Sequence, residues 1–102
     1  MAKASLSTHV LDTTTGKPAV GVRIELQRDG KAVASAVTDA DGRVRELARD
    51  IDAGTYRLIF DTRAYSAEAF FSRVALDIDV AAGHVHVPLL LSRFGVTSYR
   101  GS

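Results

Sequence analysis

An antiparallel β-sandwich with one short helix is the all-β fold this sequence predicts, on three observations. Apolar and polar residues alternate with period two along most of the chain, the mark of strands with one buried face. The alternating runs are short and separated by turn signals such as Asp29-Gly30 and Asp41-Gly42. The alternation gives way to a helix-like spacing in one stretch, Asp61–Phe70.

The first strand is Leu6-Ser7-Thr8-His9-Val10-Leu11-Asp12. In Val20–Arg28, Val20, Val22, Ile24 and Leu26 alternate with Gly21, Arg23, Glu25 and Gln27, and Asp29-Gly30 turns the chain. Val33, Ser35 and Val37 continue the next strand, which Asp39-Ala40-Asp41-Gly42 ends. Tyr56, Leu58 and Phe60 share one face of Thr55–Phe60. Thr62, Ala64, Tyr65, Ala67, Glu68 and Ala69 fit a short helix over Asp61–Phe70, with Asp61 or Thr62 as its cap. Val74, Leu76, Ile78 and Val80 form the next alternating set, and Ala81-Ala82-Gly83 turns into the apolar strand His84–Leu91. Ser92-Arg93-Phe94-Gly95 makes a last turn before a short extended run.

At 102 residues the chain reads as one domain, 1–102, long enough for a single core. Charged residues make up 25% and balance to a net charge of +1. That balance argues against a nucleic-acid footprint. No apolar run approaches the length of a membrane span. No secretory signal follows Met1, so the expected location is the cytoplasm, with the periplasm left open. With no cysteine, thiol catalysis and cysteine metal sites are excluded.

Three histidines carry the candidate chemistry: His9, His84 and His86. On strand spacing Val85, Val87, Leu89 and Leu91 take the core face, so His84, His86, Pro88 and Leu90 point outward. A strand apolar on both faces suggests that another subunit covers the outer one. His86 there is either a structural histidine or part of a site, and His84, beside the turn, reads as a solvated bystander. His9 shares a half-polar face with Ser7 and Leu11. Arg43 directly follows the Asp41-Gly42 turn. It is a solvated charge unless it points into a cleft, where its planar fork suits an imide or carboxylate. The final Tyr99-Arg100-Gly101-Ser102 brings a phenol, a guanidinium, a hydroxyl and a terminal carboxylate, a set fit to line a small polar site. Asp77 and Asp79 share a face without histidine support, which makes a poor metal site.

Several of these runs together resemble the transthyretin-like 5-hydroxyisourate hydrolases. They are Leu6–Asp12 with the following Thr13–Ala19, Thr38–Arg43, His84–Ser92, and the terminal Tyr99-Arg100-Gly101-Ser102. The last distinguishes the hydrolases from transthyretin, the hormone carrier. Arg93-Phe94-Gly95-Val96 departs from the more usual Pro-Tyr-x-Tyr run. The resemblance implies an eight-stranded sandwich with one short helix, assembled as a homotetramer with active sites between dimers. It implies opening of the 5-hydroxyisourate ring by water in urate degradation, with no cofactor and no metal. It assigns His9 and His86 to the general base and its proton-handling or orienting partner, His86 being favoured as base. It gives Arg43 the substrate oxygens, and Tyr99, Arg100, Gly101 and Ser102 the closing of the site. The rival classes are a transthyretin-like small-ligand carrier and a structural sandwich module.

Overall fold

The computed structural model describes residues 3–102. Its elements run β1 (Lys3–Asp12), β2 (Lys17–Pro18), β3 (Arg23–Arg28), β4 (Lys31–Val37), β5 (Arg43–Asp52), β6 (Gly54–Asp61), α1 (Thr62–Tyr65), β7 (Val74–Val80), β8 (Gly83–Leu91) and β9 (Val96–Ser98). One sheet has the order β4-β3-β6-β7 and is antiparallel throughout. The other places β1 at its centre, with β8 and then β9 on one side and β2 and β5 on the other. The β1–β8 pair is parallel, the one departure from the antiparallel expectation. The sheets stack on a core of Leu6, Val10 and Leu89 from one side and Ile24, Leu58 and Phe60 from the other, all fully buried. Burying side chains of this size contributes roughly 1.5–3 kcal/mol each.

The turns follow their chemistry. Asp29 (φ 52°) and Gly30 (φ 77°) both adopt left-handed backbone in the two-residue link between β3 and β4, the geometry a tight hairpin needs. Val20 was expected to begin the β3 strand. It is exposed instead, because the chain turns at Gly21 (φ 83°) and pairing starts at Arg23. Buried Thr38 holds that turn, donating to the Ala19 carbonyl at 2.7 Å and accepting from the Val22 amide at 2.8 Å.

The helix is shorter than the expected Asp61–Phe70. It spans only Thr62–Tyr65, capped by the Asp61 carboxylate, and Ser66 is already extended. The following loop folds back and takes up the freed polar groups. The Arg63 amide donates to the Ser72 carbonyl at 2.9 Å, the Arg63 guanidinium to the Ala69 carbonyl at 3.0 Å, and the Thr62 hydroxyl to the Phe71 carbonyl. Tyr65 pins the helix to the end of β1 by donating to Asp12 at 2.8 Å. Burial and the neighbouring Asp12 carboxylate push its phenol up to about 12.

Strand β5, Arg43–Asp52, has no counterpart in the alternating pattern. Its inward residues Val44, Leu47 and Ile51 are spaced by three and four, because its pairing with β1 is irregular. Two residues of β1, from Leu6 to Thr8, span four of β5, from Ala48 to Val44. Such bulges bend a strand and re-aim its side chains.

Candidate active site

The outer face of the β1-centred sheet collects the histidines. In the parallel register Ser5 lies beside His84, Ser7 beside His86 and His9 beside Pro88, and the antiparallel register sets His9 beside Arg43 as well. Side chains of one strand alternate between faces, so Ser5, Ser7 and His9 share the outer face with His84 and His86. Thr8, on the inner side, donates its hydroxyl to the Val87 carbonyl at 2.7 Å and ties the two strands together at this level.

Arg43 is delivered by its turn. Asp39 accepts from the amides of Asp41 (2.8 Å) and Arg43 (3.0 Å). Those two amides hold its carboxyl below the usual aspartate range. Gly42 sits against β1: its carbonyl accepts from the Val10 amide at 2.7 Å, and a Cβ there would lie 2.5 Å from the Val10 carbonyl oxygen. Together with φ 72° this makes glycine the fitting residue. Arg43 therefore enters β5 opposite His9. Among the described residues no carboxylate pairs with its guanidinium, whereas Arg45 meets Asp41 at 3.6 Å.

The chain end reaches the same place. The register of β9 on β8 continues to a bridge between His86 and Gly101, whose amide donates to the His86 carbonyl at 2.7 Å. A Cβ on Gly101 would stand 2.7 Å from Cδ2 of the His86 ring. Only glycine lets the backbone pass that close.

A polar cavity of about 240 Å³ results. Its walls are Arg43 and Arg45, the pair His84 and His86, and Ser102, with Ser7 and Thr8 at its floor. His86 is half-buried, and its Nδ1 lies 2.7 Å from the Ser7 hydroxyl. No protein partner holds its Nε2 among the described residues. Burial lowers the pKa of His86 first, and the charges of Arg43, His9 and His84 lower it further. The groups facing it are thus His9 from β1, Arg43 and Arg45 from β5, His84 from β8 itself, and Ser102.

Of the seven sequence candidates, Arg43, His86 and Ser102 line this cavity, and Gly101 supports it. His9 lies on the same face between Arg43 and Pro88, outside the cavity wall. It is not the hydrogen-bond partner of His86, a place that Ser7 takes. Tyr99 and Arg100 do not join the cluster. Pro88 has no amide hydrogen to hold the tail there, and the two residues line a separate cleft of about 310 Å³ at the open edge between the sheets, with Leu76, Ile78, Val85 and Val87. That cleft is larger and more apolar but holds no histidine, so the smaller one is the candidate site. His84, expected to be a bystander, is hydrogen-bonded at both ring nitrogens, to Ser5 at 2.7 Å and Ser7 at 2.8 Å. The signal was present as Ser5-x-Ser7-x-His9 and His84-x-His86, two runs whose alternate residues share one face.

The chain has known relatives in sequence and in fold. The chain is 42% identical over 113 residues to a 5-hydroxyisourate hydrolase of Mesorhizobium japonicum, covering 95% of this chain and 91% of the relative. It is 40% identical over 119 residues to the uric acid degradation bifunctional protein TTL of Arabidopsis thaliana, of which it spans only 37%. The solved 5-hydroxyisourate hydrolase of Klebsiella pneumoniae superposes with a TM-score of 0.92 at 39% identity, over 97% of this chain and 99% of that one. Sea bream transthyretin in complex with thyroxine superposes with a TM-score of 0.84 at 29% identity, over 94% and 93%. The model of the HIUase/Transthyretin family matches residues 6–101, and the chain belongs to that family.

Proposed function

We propose that this protein hydrolyses 5-hydroxyisourate to 2-oxo-4-hydroxy-4-carboxy-5-ureidoimidazoline in urate degradation. The observation that carries this reading is His86, held at Nδ1 by Ser7, open at Nε2, and set beside the unpaired Arg43 in a small polar cavity. Its lowered pKa keeps the imidazole neutral near pH 7. Neutral Nε2 takes a proton from water as the oxygen attacks a ring acyl carbon, assistance worth roughly 100- to 10,000-fold. Arg43 stabilises the oxyanion that forms. His9, next to Arg43 on the outer face, adds polar contact to the substrate, and Ser102 closes the cavity beside His86. Tyr99 and Arg100 serve the substrate only where the tail swings from the sandwich edge or a neighbouring copy brings them in.

The reading includes a homotetramer in the cytoplasm. Leu11 and Leu90 are neighbours on the outer sheet face and remain partly exposed beyond the buried Pro88, so a second copy has apolar surface to cover. Sedimentation analysis is expected to give four copies per particle, and a monomer would refute the assembly.

The decisive experiment follows freshly generated 5-hydroxyisourate by its ultraviolet absorbance with and without the protein. Fast protein-dependent loss with appearance of the ring-opened product is the expected result. Decay at the spontaneous rate would overturn the reading in favour of a carrier. A carrier of drug-sized ligands uses a pocket of roughly 300–1,000 Å³ lined mostly by apolar groups, and would draw on the apolar edge cleft rather than on the histidine cavity.

A further inference from the structure

Ser5, His84, Ser7 and His86 form one unbroken line of hydrogen bonds. Ser5 Oγ meets His84 Nδ1 at 2.7 Å, His84 Nε2 meets Ser7 Oγ at 2.8 Å, and Ser7 Oγ meets His86 Nδ1 at 2.7 Å. Both imidazoles lean on the single Ser7 hydroxyl, which is only 7% exposed. A hydroxyl has one proton to donate. Were both rings to donate to Ser7, its own proton would be buried without an acceptor. While both rings are neutral, Ser7 therefore donates to one and accepts from the other, and the line is polarised one way or the reverse.

The two orderings differ in what they make of His86. In the first, His86 carries its proton on Nδ1 and donates to Ser7. Ser7 then donates to His84 Nε2, and His84 Nδ1–H donates to Ser5. This leaves a lone pair on His86 Nε2, facing the cavity as a base. In the second every bond is reversed and His86 carries its proton on Nε2, facing the cavity as a hydrogen-bond donor and not a base. A serine bonded to one histidine alone imposes no such choice, because its hydroxyl is then free to rotate.

We propose that Ser5, His84 and Ser7 form a wire that fixes His86 as the base through Nε2 and carries the proton it receives out to solvent. Hydrolysis of an acyl–nitrogen bond breaks C–N and forms C–O. His86 Nε2 takes one water proton as the oxygen attacks, and the other passes from the added hydroxyl to the leaving nitrogen, so the product leaves as the carboxylate. The His86 Nδ1 proton passes to Ser7, the Ser7 proton passes to His84 Nε2, and the cation moves to His84. His84 is exposed and gives up its Nδ1 proton through Ser5 to water, which leaves the line reversed. Once product has left, His86 Nε2 yields its proton to water in the open cavity, each proton of the line steps back, and His84 Nδ1 takes one from water through Ser5. The wire moves positive charge away from the half-buried His86 and from Arg43. His84 and Ser7 act through His86 and are positioning and conducting residues that do not touch the reacting carbon.

The proposal rests on the hydrolase reading for its kinetic part and not for its structural part, and the tests separate the two. In the full-length protein labelled with ¹⁵N-histidine, ring-nitrogen shifts at a pH where His86 is neutral are expected to show its proton on Nδ1. Ser7→Ala is expected to move that proton to Nε2, while Ser7→Thr, which keeps the hydroxyl, leaves it in place. A wild-type His86 protonated on Nε2, or a ring unmoved by Ser7→Ala, would overturn the wire whatever the activity. On 5-hydroxyisourate, His84→Ala is expected to lower kcat about tenfold or more, part of the gain general acid–base catalysis gives, with KM little changed. Imidazole added to the buffer is expected to restore much of that kcat. An unchanged kcat, or a loss that imidazole does not repair, would refute conduction through His84. A wild-type protein without hydrolase activity would refute the function, and the nitrogen shifts would still decide the wire.

Discussion

Two of the strands beside β1, β8 and β5, build its outer face by different means. Strand β8 runs in strict register with β1 from Gly83 to Leu91, one residue against one, so every second side chain lands on the outer face. Strand β5 slips twice against β1 and reaches it through an Asp39-to-Gly42 turn. His86 is thus placed by periodicity, and Arg43 by the geometry of one loop. Periodicity distributes the work over nine paired residues, whereas the loop concentrates it in Gly42 and Asp39. The β8 half of the site should therefore be robust to change outside His86 itself. The β5 half should be sensitive to residues that never meet substrate.

The largest expected effect lies in β8. His86→Ala should lower kcat by roughly 100- to 10,000-fold, the range for loss of a general base, while sedimentation matches wild type. Arg43→Ala comes next, with kcat reduced about 100- to 1,000-fold, as for removal of one oxyanion-stabilising donor. Arg43→Lys should recover part of it by charge but not by the fork. Gly42→Ala sharpens the comparison more than either. It adds a methyl 2.5 Å from the Val10 carbonyl oxygen at a φ of 72°. It should lower stability by about 1–3 kcal/mol in urea unfolding and weaken activity at pH 7. The fold-loss should be smaller than for Arg43→Ala. If Gly42→Ala matches wild type in both, the turn does not position Arg43.

The smallest effect is one of pH. Burial and the nearby cations lower the His86 pKa, so its neutral form persists below the free-histidine value of 6.5. The acidic limb of kcat/KM is expected below pH 6.5 for wild type, and Arg43→Ala should move it upward by removing a repelling charge. The stability sign runs the same way. A histidine whose folded pKa is depressed favours the native state above its unfolded pKa. That contribution is lost as pH falls from 6.5 towards the folded value. A limb at or above 6.5 would show that His86 is not the titrating base.

The same contrast explains what the sequence made legible. The alternation of Val85, Val87, Leu89 and Leu91 against His84, His86, Pro88 and Leu90 located the outer face of β8, because an unbulged strand keeps period two. Strand β5 was invisible as a strand. Its bulges space Val44, Leu47 and Ile51 by three and four, a spacing that reads as helix. Arg43 was found by its turn and by resemblance, not by periodicity. The helix was overextended because Ala64, Ala67 and Ala69 favour helix locally, while the 66–72 loop satisfies the backbone in another way. His84 was passed over for a further reason. Its partners Ser5 and Ser7 lie 79 and 77 residues away, and only the parallel register brings them beside it. No local pattern encodes that register.

The parallel pairing of β1 with β8 has a consequence for the life of the chain before it is a protein. Strand β1 leaves the ribosome well before β8, so one whole edge of it has no mate, and the hydroxyls of Ser5 and Ser7 have no histidine, until β8 is made. Long-range pairings of this kind close slowly, and an unpaired central strand invites association with other chains. A nascent chain halted before β8 would hold Arg43 and His9 but neither imidazole of the wire. Such a chain would be inert, and its bare edge would mark it for capture by chaperones or proteases. Completion of the sheet and completion of the catalytic apparatus are one event, so an unfinished copy has no partial activity to offer.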